Sequence, residues 1–229
     1  MANALIIARG GSKRIPRKNI KPFLGRPMLQ RTIEKAKGSG IFDRIYVSTN
    51  DSEIKILSEN CGATVLLRSE ELSNDYATTT DVMADATERL MQLGANVDDV
   101  LVCIYPVTPL LNYEWINQAI ASLLHSGSNF VFPAQRFEHP VQRGFLIEED
   151  GKILISDLAP QGARTQDLPN YFHDAGQFYA GKVNSWLNRI PIMSNNSKII
   201  EIPKYEVLDI DDELDWKMAE ELFKIREDG

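Results

Sequence analysis

The sequence predicts an α/β protein with a mostly parallel β-sheet flanked by helices. Short apolar runs alternate with segments of helical hydrophobic spacing along most of the 229 residues. The turns between them are short and rich in Gly and Asn, as in repeated strand–helix units. Three polar motifs, ARGGSKR, STND and YPVTP, each follow an apolar run directly. Ligands gather at the carboxyl ends of parallel strands, so we expect these motifs to share one rim of the sheet.

Hydrophobic patterning defines the individual elements. Apolar runs bounded by turn residues predict strands at 4–8, 44–48, 64–67, 100–105, 130–133, 176–179 and 198–202. Helical spacing predicts helices at 28–37, after Asp51 to about 60–62, and at 79–93, 114–124, 182–187 and 212–225. Asp51 is expected to cap the second helix, and Thr80 or Asp81 the third.

The alternation is interrupted after residue 133. Residues 145–156 have the pattern of a hairpin around Glu149-Asp150-Gly151, and a loop-rich stretch follows it. We therefore expect a single domain, 1–229, in which residues 137–172 form an insertion that projects from the sheet.

Composition excludes several classes of protein. With 43% apolar and 25% charged residues, the chain has the composition of an ordinary globular protein, and no apolar run is long enough to span a bilayer. The first apolar run lacks a basic region before it, so it is not expected to be a signal peptide. Cys61 and Cys103 lack CxxC spacing, which favours buried free thiols in a cytoplasmic protein. The net charge of −7 argues against nucleic-acid binding.

One segment departs strongly from this acidity. Between Arg9 and Arg31 the chain has eight Lys or Arg residues and no Asp or Glu. A Gly-Gly loop directly after a buried strand exposes backbone N–H groups, and the cations that follow suit a polyphosphate. The spacing is neither a Walker loop nor GxGxxG. A solvated basic surface is the alternative; an RNA-binding arm is disfavoured because no aromatic residue occurs before Phe23.

The same segment is part of a wider resemblance. ARGGSKRIPRKNIKPFLGRP, followed in order by VSTNDSEI, VLLRSEEL, YPVTPLL and LDIDDELD, resembles the cytidylyltransferases that activate nine-carbon acidic sugars, the CMP-sialic acid synthetase superfamily. HPVQRGF and ARTQDLPNYFHDAGQFYAG are similar to its pseudaminic acid branch. Sialate enzymes typically have R-x-N-G-A-I-Y where this chain has HDAGQFY, and Gln-Pro-Thr-Ser-Pro where it has YPVTP.

The resemblance implies a Rossmann-like, GT-A-like nucleotidyltransferase fold. It also implies that an anomeric hydroxyl attacks the α-phosphorus of CTP and releases pyrophosphate. The residues it assigns to catalysis are Lys18, Arg9, Asp209 and Asp211. Those it assigns to the nucleotide are Arg9, Gly10, Gly11, Ser12, Lys18, Asn19, Arg68 and Thr79. Two alternatives remain at this stage: a salt bridge from Arg68 to Glu70 or Glu71, and simple helix capping by the threonines at 78–80.

An acidic motif near the end of the chain is the candidate metal site. Asp209 and Asp211 are spaced i, i+2, so in an extended segment both carboxylates face the same side and can reach one Mg²⁺. From the residues alone, a helix start at Asp212 and Glu213 is the competing interpretation. The resemblance favours the metal.

The insertion supplies candidates for binding the sugar. A guanidinium from Arg143 or Arg164 can pair with a sugar carboxylate. The remaining candidates for this role are Tyr105, His173, Gln177 and Tyr179. The resemblance further implies a homodimer whose insertions complete each other's sugar pockets. The rival hypotheses are the same chemistry on N-acetylneuraminic, legionaminic or 3-deoxy-octulosonic acid, and a non-catalytic nucleotide-binding module.

Overall fold

The computed structural model describes residues 1–155 and 164–227. Its strands are β1 (Ala2–Ile7), β2 (Pro22–Phe23), β3 (Arg26–Pro27), β4 (Arg44–Thr49), β5 (Thr64–Leu67), β6 (Val100–Ile104), β7 (Phe130–Arg136), β8 (Phe145–Ile147), β9 (Ile153–Ile155), β10 (Phe172–Asp174), β11 (Phe178–Lys182) and β12 (Ser197–Glu201). Its α-helices are α1 (Met28–Gly38), α2 (Ser52–Asn60), α3 (Thr79–Gln92), α4 (Tyr113–Ser126), α5 (Val183–Leu187) and α6 (Glu213–Glu227). The predicted alternation of strands and helices is therefore confirmed.

Eight strands form one mixed sheet in the order β10-β7-β11-β6-β1-β4-β5, with β12 paired to β7. Strands β6, β1, β4 and β5 are parallel, and β11 runs antiparallel between β6 and β7. The parallel strands are joined by helices, because a parallel connection needs a crossover. The predicted fold class, a mostly parallel sheet flanked by helices, is confirmed.

Helix caps follow local side-chain chemistry. Asp51 caps α2 as predicted, since its Oδ1 accepts from the backbone N–H groups of Glu53 and Ile54, both at 3.0 Å. The predicted cap of α3 is wrong by two or three positions. Thr78 is the N-cap and accepts from the N–H of Asp81 at 3.2 Å, because only Thr78 has the extended backbone that a cap requires.

Two hydrophobic clusters fill the layers between the sheet and its helices. One contains Ile6, Val102 and Leu29, and the other contains Leu5 and Trp186. Because side chains alternate along a strand, neighbouring residues of β1 enter different clusters. The sheet is thus buried on both faces, as its nearly continuous apolar strands predict.

A third cluster joins the two ends of the chain. Phe23, just after the basic loop, packs edge-on against Trp216 and Phe223 of α6, with ring centroids 5.6 and 5.5 Å apart. Ile15 of the loop and Ile210 of the acidic motif are buried in the same cluster. These contacts hold residues separated by about two hundred positions in one place, which composition alone does not predict.

The region after β7 differs in detail from the prediction. The hairpin is present as β8 and β9, whose backbones pair from Phe145↔Ile155 to Ile147↔Ile153. The chain returns to the sheet through β10, a three-residue strand that the sequence analysis missed. Residue 156 of the predicted hairpin lies outside the described residues. Cys103 is buried as expected, whereas Cys61 is only half-buried.

None of the described helices is long and apolar enough to cross a membrane.

Candidate active site

The predicted rim is formed by the segments that leave the parallel strands. Ala8, after β1, donates its N–H to Ser48 O at 3.0 Å. Arg68, after β5, donates its N–H to Thr49 O at 2.8 Å. Tyr105, after β6, donates its N–H to the carbonyl of Gln177 at 3.0 Å, which brings the start of β11 to the same edge. The three motifs therefore meet as expected.

A cavity of about 680 Å³ opens at this rim. The candidate residues that line it are Arg9, Ser12, Lys18, Asn19, Arg68, Thr79, Tyr105, His173, Gln177 and Asp209. They come from the two ends of the chain, from the segments after β5 and β6, from the start of α3, and from β10 and the residue before β11. The cavity is large enough for a drug-sized or nucleotide-sized ligand.

The basic loop divides into cations that face the cavity and cations that serve the fold. Arg17 forms an ion pair with Asp51, and Lys21 forms one with Glu213 at 2.6 Å. Arg31 donates to backbone carbonyls. By contrast, the side chains at positions 9, 13, 14 and 18 line the main cavity or a smaller one beside it. The interpretation as a merely solvated surface therefore does not hold for Arg9 and Lys18, whereas Lys13 and Arg14 are largely exposed.

Lys18 connects the basic loop to the acidic motif. Its Nζ donates a hydrogen bond to the carbonyl of Ile210. Burial lowers the pKa of Lys18, and the negative charges of Asp209 and Asp211 act in the opposite direction. The ammonium group thus lies beside both carboxylates, at the edge of the cavity.

The acidic motif has the alternation that a shared ligand requires. Ile210 is buried, whereas Asp209 is exposed towards the main cavity and Asp211 lines the smaller one. Asp215 holds this turn by accepting from the N–H groups of Asp211 and Asp212 at 2.9 and 3.0 Å. Asp212 caps α6, so the helix-start interpretation holds for Asp212. The carboxylate of Asp211 forms an ion pair with Arg14 of the basic loop, whereas Asp209 lines the main cavity.

This donor set fits Mg²⁺ better than a softer metal. The described residues contain no cluster of three or more His, Cys, Asp or Glu side chains suited to a metal. Mg²⁺ commonly takes only one or two carboxylates and completes its shell with phosphate oxygens and water. Asp209 and Asp211 provide two such oxygen ligands beside the cations of the loop.

Arg68 is the least compensated charge in the site. Its side chain is 8% exposed, and Nε and Nη2 have no hydrogen-bond partner among the described residues. Among the described residues, Arg68 forms no salt bridge with Glu70 or Glu71. The carboxylate of Glu70 instead accepts a hydrogen bond from Nδ2 of Asn50 at 3.4 Å. Burial, with a smaller contribution from Arg9, lowers the pKa of Arg68 to about 10. A buried cation of this kind calls for an anionic or strongly polar partner.

The start of α3 forms another wall of the cavity. Thr78 is used as a helix cap, as the simpler interpretation proposed. Thr79 instead shares a hydrogen bond of 2.8 Å with the hydroxyl of Tyr105. Asn19, expected near the nucleotide, uses its Nδ2 to close the loop on the carbonyl of Arg9 at 2.8 Å.

Residues 173–177, which run from β10 to the start of β11, line a further part of the cavity, the acceptor end. Gln177 is buried and donates from Nε2 to the carbonyl of Glu206 at 2.8 Å, while its Oε1 has no partner among the described residues. The hydroxyl of Tyr179 donates to Asp174 at 2.5 Å. Burial raises the pKa of Tyr179, so this hydroxyl keeps its proton. This end offers hydrogen-bond acceptors to a ligand.

Several candidates lie outside the lining of the cavity. Gly10 donates its N–H to Asn50 at 3.3 Å, and an added Cβ would lie 2.4 Å from Oδ2 of Asp51. A glycine is therefore needed at position 10 because the backbone passes close to Asp51, and its N–H group is already used by Asn50 rather than free to bind an anion. An added Cβ at Gly11 would meet no atom within 4 Å. The remaining candidates outside the lining are Arg143, Arg164 and Tyr179. Exposed Arg164 pairs with Asp167 at 2.9 Å.

Four charged residues that line these cavities were not predicted as site residues from the sequence: Lys13, Arg14, Asp75 and Asp174. The two cations belong to the basic run but could not be ranked within it. Asp75 lies in the polar loop before α3, and Asp174 directly follows His173. Their only signal in the sequence is an acidic residue near a proposed ligand site, which is too common to be used alone.

Comparison with known proteins agrees with this geometry. A family model described as cytidylyltransferase matches residues 3–148. The chain is 40% identical to pseudaminic acid cytidylyltransferase of Campylobacter jejuni (strain NCTC 11168), over 100% of this chain and 99% of that protein. It is 32% identical to N-acylneuraminate cytidylyltransferase B of Danio rerio, over 95% of this chain and 50% of that protein.

Among solved structures, CMP:2-keto-3-deoxy-manno-octonic acid synthetase complexed with CTP has a TM-score of 0.71 at 17% identity. The aligned region covers 98% of this chain and 99% of the chain of the synthetase. At that identity the match supports the Rossmann-like nucleotidyltransferase fold alone. The sequence relatives confirm the resemblance found in the motifs. The chain belongs to the cytidylyltransferase family and is an enzyme of the nucleotidyltransferase class.

Proposed function

We propose that this enzyme transfers CMP from CTP to the anomeric hydroxyl of pseudaminic acid, a nine-carbon acidic sugar. The anomeric oxygen forms a bond to the α-phosphorus, the bond from that phosphorus to the β-phosphate oxygen breaks, and pyrophosphate leaves as the hydroxyl loses its proton. The observation that carries the proposal is the full-length similarity, at 40% identity, to two Campylobacter jejuni proteins named pseudaminic acid cytidylyltransferase. The cavity contains suitable groups for each reactant.

The cationic end of the cavity binds the triphosphate. Arg9, Lys18 and Arg68 line this end, and Ser12 adds a hydroxyl. Nucleotidyl transfer depends mainly on positioning and on neutralising charge that develops at the phosphates. Lys18, held between the loop and the acidic motif, stabilises the negative charge at the α-phosphate.

Asp209 and Asp211 would hold a divalent cation, which we propose to be Mg²⁺. The bound ion would supply additional positive charge to the phosphates. The contribution of the chain itself is to keep these carboxylates beside Lys18, through burial of Ile210 and the turn closed by Asp215.

The acceptor end of the cavity binds the sugar. Oε1 of Gln177 and the carboxylate of Asp174 accept hydrogen bonds from N–H or O–H groups of the sugar, such as its hydroxyl and acetamido groups. An anionic carboxylate of the sugar is repelled from Asp174 and lies towards the cationic end. The sugar is thereby oriented with its anomeric carbon near the phosphates.

We propose that the predicted insertion, 137–172, is a dimerisation segment; its residues 156–163 lie outside the described residues. In the β8–β9 hairpin, six apolar side chains on both faces are each more than half exposed: Phe145, Leu146, Ile147, Ile153, Leu154 and Ile155. Such an apolar patch on a surface marks an interaction site. We propose that a second copy covers it and that Arg143 or Arg164 of each copy reaches the sugar carboxylate in the other. Because its substrate is CTP, we place the enzyme in the cytoplasm.

The deciding experiment is pyrophosphate release from CTP with a panel of acidic sugars. Pseudaminic acid is expected to give the highest kcat/KM; a clear preference for N-acetylneuraminic, legionaminic or 3-deoxy-octulosonic acid would refute the sugar assignment. Lys18→Ala and Asp209→Ala are each expected to reduce kcat about 10²–10³-fold. A protein that binds CTP but turns over none of the sugars would be a nucleotide-binding module.

Subunit mixing tests the exchange of insertions. Arg164→Ala and Lys18→Ala are each expected to be inactive alone. After unfolding and refolding together in equal amounts, half of the dimers carry one intact site, so activity should recover to about a quarter of wild type. No recovery, in a mixture shown by ultracentrifugation to be dimeric, would contradict the shared site.

A further inference from the structure

A smaller cavity of about 360 Å³ lies beside the main one, and both are lined by Arg9, Ser12 and Lys18. Its lining adds Lys13 and Arg14, so four cations face it, together with the carboxylates of Asp75 and Asp211. Arg14 forms an ion pair with Asp211. Ammonium and guanidinium groups are strong donors to phosphate oxygens. The smaller cavity therefore has the chemistry of a site for the terminal phosphates of a nucleoside triphosphate, or for pyrophosphate.

The carboxylate of Asp75 already forms ion pairs with two of these cations. Oδ1 of Asp75 lies 2.8 Å from Nη1 of Arg9, and Oδ2 forms an ion pair with Nζ of Lys13. The same Nη1 of Arg9 donates to the carbonyl of Asn74 at 2.9 Å. The loop before α3 thus contacts the basic loop through Asp75 and the backbone carbonyl beside it. Hydrogen bonds from Lys13 and then Arg9 lower the pKa of Asp75, which keeps it anionic.

A phosphate chain cannot bind here without affecting Asp75. Carboxylate and phosphate oxygens accept from the same Arg and Lys donors. A phosphate that uses the remaining N–H groups of Arg9 would still lie beside the negative carboxylate and be repelled by it. Asp75 must either leave Arg9 and Lys13 or weaken the binding of the anion.

We propose that Asp75 is an exchangeable counter-ion, which holds Arg9 and Lys13 until the β- and γ-phosphates of CTP replace it. It returns to these cations as pyrophosphate leaves. The inference rests on the proposed assignment of the basic loop to the triphosphate. Its consequence is a moderate affinity for both CTP and pyrophosphate, because each binding event includes the loss of two ion pairs. Exchange of this kind favours release of the product.

Calorimetric titration with inorganic pyrophosphate, and separately with CTP, tests the proposal. Asp75→Asn removes the charge while retaining the shape, and both dissociation constants are expected to fall about threefold to tenfold. The salt dependence of binding should become steeper, because the loop cations are no longer neutralised by the protein. Glu71→Gln is the matched control: it removes one negative charge from the same loop, and its carboxylate has no ion pair among the described residues. It should leave both constants within about twofold.

Unchanged or weaker binding by Asp75→Asn would overturn the proposal. Weaker binding would mean that Asp75 positions the cations or contacts the ligand. A double-mutant cycle adds a second criterion: after Lys13→Met, the gain from Asp75→Asn should shrink, because one of the two released cations is already absent. An equal gain in both backgrounds would also refute the exchange at Lys13.

Lys18→Ala separates this inference from the assignment of the site. If Lys18→Ala leaves CTP binding unchanged, the loop is not the triphosphate site and both proposals fail. If Lys18→Ala weakens CTP binding and Asp75→Asn does not tighten it, only the counter-ion exchange is refuted. Thermal unfolding of each variant checks that it is folded.

Discussion

Replacing Arg68 with methionine should make the protein more stable and less able to bind CTP. The guanidinium is 8% exposed, and two of its nitrogens lack partners among the described residues. Methionine retains a long unbranched side chain but removes the charge and the unpaired donors. Substitutions of this kind usually destabilise a core, so an increase in stability would be diagnostic.

The pKa of Arg68 sets the size of the effect. It falls from the ordinary value of an arginine to about 10 in the folded protein, which corresponds to about 3 kcal/mol. Because the folded-state value is the lower one, this cost is fully present at every pH below about 10 and decreases only above it. The smaller side chain loses packing worth about 1–2 kcal/mol. The net expectation is a gain of about 1–2 kcal/mol in the free energy of unfolding at pH 7.

Urea denaturation followed by circular dichroism measures the stability, and calorimetry measures CTP binding. Lost hydrogen bonds to an anion should weaken CTP binding about tenfold to a hundredfold. Arg26→Met is the matched control, because Arg26 is 62% exposed and pairs with Glu34 at 3.4 Å; its free energy of unfolding should change by less than about 0.5 kcal/mol. If Arg68→Met unfolds more easily than wild type, burial of this cation is not a net cost. If its CTP affinity is unchanged, Arg68 is not part of the site.

Three further substitutions or conditions test other parts of the structure. Gly181→Ala places a Cβ 2.5 Å from a ring carbon of Phe130 and should lower the free energy of unfolding by about 1–3 kcal/mol in urea denaturation. Asp51→Ala removes the cap of α2 and the pair with Arg17, costing about 1–2 kcal/mol at pH 7. Arg17 and the helix amides lower the pKa of Asp51, so this difference should shrink as the pH falls through that lowered value, which denaturation over a series of decreasing pH would show. Chelation by EDTA should abolish pyrophosphate release, and added Mg²⁺ should restore it in wild type but not in Asp209→Asn.

The fold was largely predictable because its signals are local. Strands such as β1 and β6 are continuous apolar runs, and the amphipathic helices between them follow from the spacing of their apolar residues. The errors occur where tertiary contacts decide. Strand β10 has only three residues and exists because Ala134–Arg136 of β7 pair with it. The cap of α3 was misplaced because three consecutive threonines offer the same hydroxyl and only backbone geometry selects Thr78.

The site was predictable in its composition but not in its internal pairing. Lys18 and Asp209 could be placed together only through the family resemblance, since nothing local joins residues about two hundred positions apart. The ion pairs of Asp75 with Arg9 and Lys13 could not be predicted from the sequence, because they depend on how the loop before α3 lies over the basic loop. An exposed acidic residue in a polar loop is common in any sequence.

Burial of Phe23 determines the path of the basic segment across the fold. Phe23 is completely buried against α6, so the segment between β1 and Phe23 must cross from the rim of the sheet to the last helix. Two cations of this segment meet acids of the fold: Arg17 meets Asp51, and Lys21 meets Glu213. The cations at positions 9, 13, 14 and 18 line the main cavity or the smaller one. An acidic protein can thus keep a local excess of positive charge because each cation has a defined anionic or carbonyl partner. Only the partners at the cavity are ones that a triphosphate could replace.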